Sequence, residues 1–235
     1  MKRFWDTVTL VRVEAGYHVQ LDGKPMNLPT GTRLVVGPHA LAEAIATEWR
    51  DAGGGKGGEM SYADTPLTRL AGTAQERIAP NPLPTIDAIA RYGETDMLCY
   101  RASAPQPLVA RQMRAWQPWL DWAAQTFDAP LRVGEGIAYV NQHKDSIAAL
   151  RRAVATYDAY ALAALGIAVP SLGSLVLGLA LAEGALDAAR AHALGALEEL
   201  FEVEQWGEDY EGEARRRNVG IDIALAERFI RLSRG

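Results

Sequence analysis

The hydrophobic pattern of this chain shifts from strand-like at its start to helical in its second half, and that shift limits the folds open to it. Over residues 1–36 apolar and polar residues alternate, in Thr7-Val8-Thr9-Leu10-Val11-Arg12-Val13 and again in Tyr17-His18-Val19-Gln20-Leu21. This is the period of a strand with one buried face. Glu14-Ala15-Gly16 and Asp22-Gly23 separate the runs and read as hairpin turns. Asp22-Gly23-Lys24-Pro25 leads into Met26–Leu28, and Leu34-Val35-Val36 reads as a further strand. Beyond residue 101 the pattern is helical. Alanine, the strongest helix former, occurs 12 times in the first 100 residues and 28 times in the last 135. The expected class is therefore α+β, with an N-terminal, mainly antiparallel β domain carrying a few helices over residues 1–101 and an all-α helical bundle over residues 102–235.

In the first domain a helix is expected after Gly37-Pro38, with Leu41, Ala44, Ile45, Glu48 and Trp49 at helical spacing and Gly53-Gly54-Gly55 ending it. A second helix begins with Thr65 as cap and Pro66 in its first turn. A third follows Pro84 and runs to about Tyr92, after which Met97-Leu98-Cys99-Tyr100-Arg101 is expected to return to the sheet as a strand. Bundle helices are expected near 106–127, 143–165, 171–182, 187–205 and 213–233. The charge-free stretch between Asp158 and Glu183 is long enough to span a bilayer, but Gly166, Pro170, Ser171, Gly173 and Ser174 interrupt it. It reads as two buried helices, with Pro170 in the first turn of the second. The N-terminus shows no apolar signal core and no transit segment, so a bacterial, cytoplasmic protein without membrane insertion is expected.

Several chemistries find no support. One cysteine, Cys99, excludes an internal disulfide framework and a cysteine-built zinc site. A net charge of −5 argues against nucleic-acid binding. The Gly53–Gly58 stretch around Lys56 lacks the preceding strand and the following Ser or Thr of a phosphate loop, and reads as a helix end and loop. His18, His39, His143 and His192 share no metal-ligand spacing, and no nucleophile elbow occurs. No catalytic residue, metal or cofactor is expected, and the chain reads as a monomer that is not an enzyme. Two alternatives stay open: carboxylate acid/base chemistry in a cleft between the domains, or a generic interaction module.

Two features suit a partner surface. Trp116, Trp119 and Trp122 recur every third residue on one helix and form an aromatic ridge, either packed in the core or offered to a partner. Between Glu198 and Glu213 lie eight acidic residues and no basic one; without them the chain's −5 becomes +3. Leu197, Leu200, Phe201, Val203, Trp206 and Tyr210 form an apolar stripe through this segment, bordered by acids. Such a segment is either a solvated helix face or a docking surface for a partner with a basic rim. Arg215-Arg216-Arg217 follows, placed to pair with part of the cluster.

Taken in order, Arg3-Phe4-Trp5, Tyr17 to Pro25, Ala44 to Trp49, Pro66 to Ala71, Cys99-Tyr100-Arg101, Gln112 with Trp116, and Trp206-Gly207-Glu208-Asp209 carry a resemblance. The chain resembles the assembly chaperones of the F-type ATP synthase that bind the α subunit of its soluble catalytic head, the assembly-factor-2 type of mitochondria with its bacterial relatives. The resemblance implies a non-catalytic chaperone with a mixed N-terminal domain and a helical C-terminal one, which shields the free α subunit until the β subunit replaces it. It also implies an important acidic position in the C-terminal region, for which Glu202, Glu204, Glu208 and Asp209 are the candidates. With Trp206, Trp116 and Trp119 these make up the expected partner-binding set. The glycine-rich loop at 53–58 has no counterpart in the family.

Overall fold

The computed structural model describes every residue of the chain except Glu208. The N-terminal alternation forms a three-stranded antiparallel meander: β1 (Val8–Val13), β2 (Gly16–Leu21) and β3 (Lys24–Pro25). The first hairpin pairs Val8 with Leu21 through to Val13 with Gly16. Asp22 and Gly23 turn the second with positive φ at both positions (48° and 76°), the twist a tight hairpin requires. The Asp22 carboxylate is held below its usual range by hydrogen bonds from the Thr7 and Asp6 amides and the Thr7 hydroxyl. The strand expected at Leu34–Val36 shrinks to isolated bridges, Asn27 to Arg33 and Tyr17 to Val36.

Helix α1 (His39–Asp51) covers this sheet and buries Leu41, Ala42, Ile45 and Ala46. Arg3 closes its C-terminus, donating to the carbonyls of Arg50 (2.7 Å) and Ala52 (3.1 Å), which lack helical partners. The glycine-rich loop packs against the same residue. Arg3 exchanges backbone hydrogen bonds with Gly57 and Gly58, and a Cβ on Gly58 would fall 1.8 Å from the Gly53 carbonyl oxygen. The loop is thus a close-packed clasp on the backbone at Arg3.

Helix α2 (Pro66–Thr73) starts where expected, but Thr65 is not its side-chain cap. Glu48 reaches across from α1, accepting from the amides of Leu67 (2.6 Å) and Thr68 (3.1 Å) and from the Thr68 hydroxyl. Its burial pushes the Glu48 carboxyl up, partly offset by these bonds. Glu48→Ala leaves two amide donors without partners and is expected to cost about 1–2 kcal/mol, read as a lower urea midpoint; Glu48→Gln keeps one acceptor and loses less. A π turn over Ala74–Ile78 continues α2.

The remaining elements are α3 (Leu83–Ala90), β4 (Tyr100–Arg101), α4 (Gln106–Phe127), β5 (Gly134–Glu135), α5 (Lys144–Ala155), α6 (Ala159–Leu172), α7 (Leu175–Ala182), α8 (Ala188–Gly195), α9 (Leu197–Trp206) and α10 (Tyr210–Ser233). Three expectations change here. Residues 97–99 wind into a 3-10 turn because the Asp96 carboxylate accepts from the Leu98 amide, so only Tyr100 and Arg101 are extended. They pair in parallel with β5, not with the N-terminal sheet. The long helix expected at 143–165 breaks where Asp158 caps the Ala161 amide. Pro170 lies in the last turn of α6, not in a first turn; the helix runs on to Leu172 and stops at Gly173 (φ +62°), and Ser174 caps α7. All eight residues of α7 are buried, which is why its sequence shows no polar face.

By compactness the chain forms two units. One holds Met1–Pro82 with Asp158–Ala164 and Arg228–Gly235, the other Leu83–Tyr157 with Leu165–Glu227. This division falls elsewhere than the break expected after Arg101, because α3 packs on α5 while Tyr160 and Phe229 return to the first unit, their rings 6.0 Å apart and the Tyr160 hydroxyl 3.2 Å from the Gly37 amide. Among the described residues no helix is long and apolar enough to cross a membrane.

Candidate functional site

The acidic segment forms α9 and the start of α10. Leu197 and Phe201 turn inward from α9. The stripe then ends at Gly207, whose φ of +86° breaks the helix. Trp206 and Tyr210, on either side of that break, are 79% and 83% exposed. Of the expected six-residue stripe, Leu197 and Phe201 are buried, Val203 is half-buried, and Leu200, Trp206 and Tyr210 are exposed.

The acids divide in the same way. Glu204 makes a two-pronged bond to Arg111 of α4, both distances 2.7 Å, and Arg111 lies over the Phe201 ring at 5.2 Å. The pairing holds the Glu204 carboxyl below its usual range. Glu199 meets Arg215 at 2.9 Å and Arg216 at 3.7 Å, so two arginines of the basic run do pair with the cluster. The Asp209 carboxylate accepts from the Gly212 amide at 2.7 Å and caps α10. Glu198 accepts from the Gln112 amide group; burial first, and the neighbouring Glu202 charge second, push its carboxyl up. Glu202 is exposed and makes no ion pair among the described residues, and it lies one helical turn from Trp206. Glu208 lies outside the described residues.

The tryptophan ridge also separates. Trp116 is fully buried, donates to the Leu194 carbonyl at 3.0 Å and takes the Arg101 guanidinium over its ring at 5.3 Å. Trp119 is half-buried, edge-on to Trp122 at 6.1 Å, and Trp122 meets Phe127 at 5.2 Å. A three-residue step falls short of a full helical turn, so the ridge rotates out of the core along α4.

Gln112 joins these parts. Fully buried, it accepts from the Ala102 amide (2.8 Å) and donates to Glu198, and its carbonyl accepts from Arg101 (2.7 Å). The acidic helix is thereby fastened to α4 at Gln112 and at Arg111. Arg111 carried no signal in the sequence, since its partner is 93 residues away. The cavity beneath α9, lined by His192, Glu199 and Arg216 among others, encloses about 60 Å³, room for a few waters and not for a substrate. Among the described residues no cluster could hold a metal ion. What the segment presents outward is an aromatic and acidic surface.

A family model described as ATP12 chaperone protein matches residues 2–124. The crystal structure of Atp12 from Paracoccus denitrificans is 39% identical, with a TM-score of 0.92 over 99% of this chain and 98% of that one. An aspartate-to-lysine variant of the same Paracoccus protein matches at the same identity and TM-score, over 97% of its own length. A protein of Agrobacterium tumefaciens, described as a candidate chaperone, is 37% identical, with a TM-score of 0.89 over 97% of this chain and 84% of that one. With this fold along nearly its whole length and this level of identity, the chain belongs to the ATP12 chaperone family.

Proposed function

We propose that this chaperone binds the free α subunit of the F-type ATP synthase catalytic head in the bacterial cytoplasm, and covers its assembly interface until the β subunit takes over. Trp206 and Tyr210, with the unpaired Glu202, make the contact. An unassembled ring subunit exposes apolar surface that aggregates, and reversible cover is what it requires. The observation that carries this reading is the pair of large aromatics held almost wholly in solvent at the Gly207 break. An exposed tryptophan beside an exposed carboxylate suits an apolar partner surface with a basic rim. Glu204 and Asp209 serve the same surface at one remove, by fixing α9 to α4 and capping α10.

Capture of the α subunit by the purified chain tests this. Trp206→Ala and Glu202→Lys are each expected to weaken capture by about tenfold or more, with unchanged melting temperature because neither side chain is buried. Glu204→Ala removes a surface ion pair worth at most about 1 kcal/mol and is expected to weaken capture less than Trp206→Ala. Unchanged capture in both Trp206→Ala and Glu202→Lys would return the segment to a solvated helix face.

A further inference from the structure

A groove beside α2 is separate from these surfaces. It follows the face of α2 that bears Arg69, Gly72 and Thr73, continues onto Glu76 and Arg77 of the π turn, and encloses about 610 Å³. That volume lies within the range of sites that hold a small ligand or a few side chains of a peptide. Met26, Leu28 and Trp49 make an apolar floor. Gly72 approaches Leu28 so closely that a Cβ there would sit 2.9 Å from Leu28 Cδ2. A side chain at this position would have to displace the Leu28 methyl groups where α2 meets this floor.

The π turn is the second observation. Such turns are uncommon and recur at functional sites, and this one places Glu76 where the hydroxyls of Thr30 and Thr32 both bond its carboxylate. The threonine bonds stabilise the ionised form of Glu76, so the groove edge sets two guanidinium groups, Arg69 and Arg77, against one carboxylate. Arg69 and Arg77 are exposed, and Arg69 makes no ion pair among the described residues. An apolar floor edged by an excess of guanidinium groups complements an apolar ligand that carries carboxylates.

We propose that this groove binds a peptide segment in which aspartate or glutamate adjoins leucine- or phenylalanine-sized side chains. The apolar side chains rest on Leu28 and Trp49, and a carboxylate pairs with Arg69. The direct test is fluorescence anisotropy of a labelled Leu-Glu-Phe-Asp-Leu peptide with the purified full-length chain. No ATP synthase subunit is present, so failure of the α-subunit reading leaves this test standing. Saturable binding is expected, weaker by about tenfold in Arg69→Glu. A similar loss is expected in Thr73→Trp, whose indole fills the groove from an exposed position; circular dichroism confirms that both variants fold. The Leu-Lys-Phe-Lys-Leu peptide is expected not to bind. Equal binding of the two peptides, wild-type affinity in both variants, or binding of decanoate without binding of the acidic peptide would overturn the proposal.

Discussion

Trp116→Ala is expected to lower the stability of the unit that contains it by about 3–5 kcal/mol, the range for truncating a fully buried tryptophan. Three losses combine. The indole leaves a cavity between α4 and the end of α8, the Leu194 carbonyl loses its 3.0 Å donor, and the Arg101 guanidinium loses the ring it lies over at 5.3 Å. The last matters because Arg101 is itself buried, with two guanidinium nitrogens that have no hydrogen-bond partner among the described residues. Trp119→Ala, three residues on and half-buried, is expected to cost markedly less. Urea unfolding followed by circular dichroism makes the comparison, with α-subunit capture measured on the folded fraction. Equal costs at the two positions would mean that the aromatic ridge acts as one body, contrary to its division along α4.

The second large effect is a pH dependence centred on Asp96. This carboxylate is fully buried at the start of α7, accepting from the amides of Leu98 (3.0 Å) and Val176 (2.9 Å). Burial outweighs these bonds and raises its pKa to about 6 from an ordinary 3.8. A raised carboxyl pKa means that the folded chain holds this proton more tightly than the unfolded chain does. Between the two values the folded state is the more protonated, so stability from this group is greatest at low pH and is lost as pH rises toward 6. The loss totals roughly 3 kcal/mol, at about 1.4 kcal/mol per pH unit. Asp96→Asn removes the titration. The stability of the wild type relative to Asp96→Asn is therefore expected to fall by roughly that amount between about pH 4 and about pH 7. Urea midpoints of the two proteins across this range measure it, and a constant difference would show that the carboxyl titrates at its ordinary value.

How much was legible in advance follows the reach of each signal. The Asp22-Gly23 turn, the helix after Pro38 and the limits of α4 were readable because each rests on chemistry within a few residues: a left-handed turn, a proline just ahead of the helix, a helical apolar spacing. The late strand failed for a local reason with a distant consequence. Met97 to Tyr100 has strand-like composition, but Asp96 captures the Leu98 amide and spends its other oxygen on Val176, 80 residues away. The acidic segment was legible as a location and not as a set of roles. Its eight acids look alike along the chain, yet Glu199 and Glu204 pair with arginines, Asp209 caps a helix, and Glu202 is left to solvent.

The amino-acid sequence alone determined the change from hairpins to helices, a single cysteine with no second to pair with, and a family resemblance whose quoted residues run from Arg3 to Asp209. These depend on residue type and short spacing, which survive without a fold. The tertiary structure decided which tryptophan of α4 is buried, which carboxylate caps α2, and which side chains at the Gly207 break face solvent. Each of those outcomes pairs groups tens of residues apart, as Arg111 and Glu204 are across 93. Partners at such separations are chosen by how whole helices pack, and no local pattern carries that information.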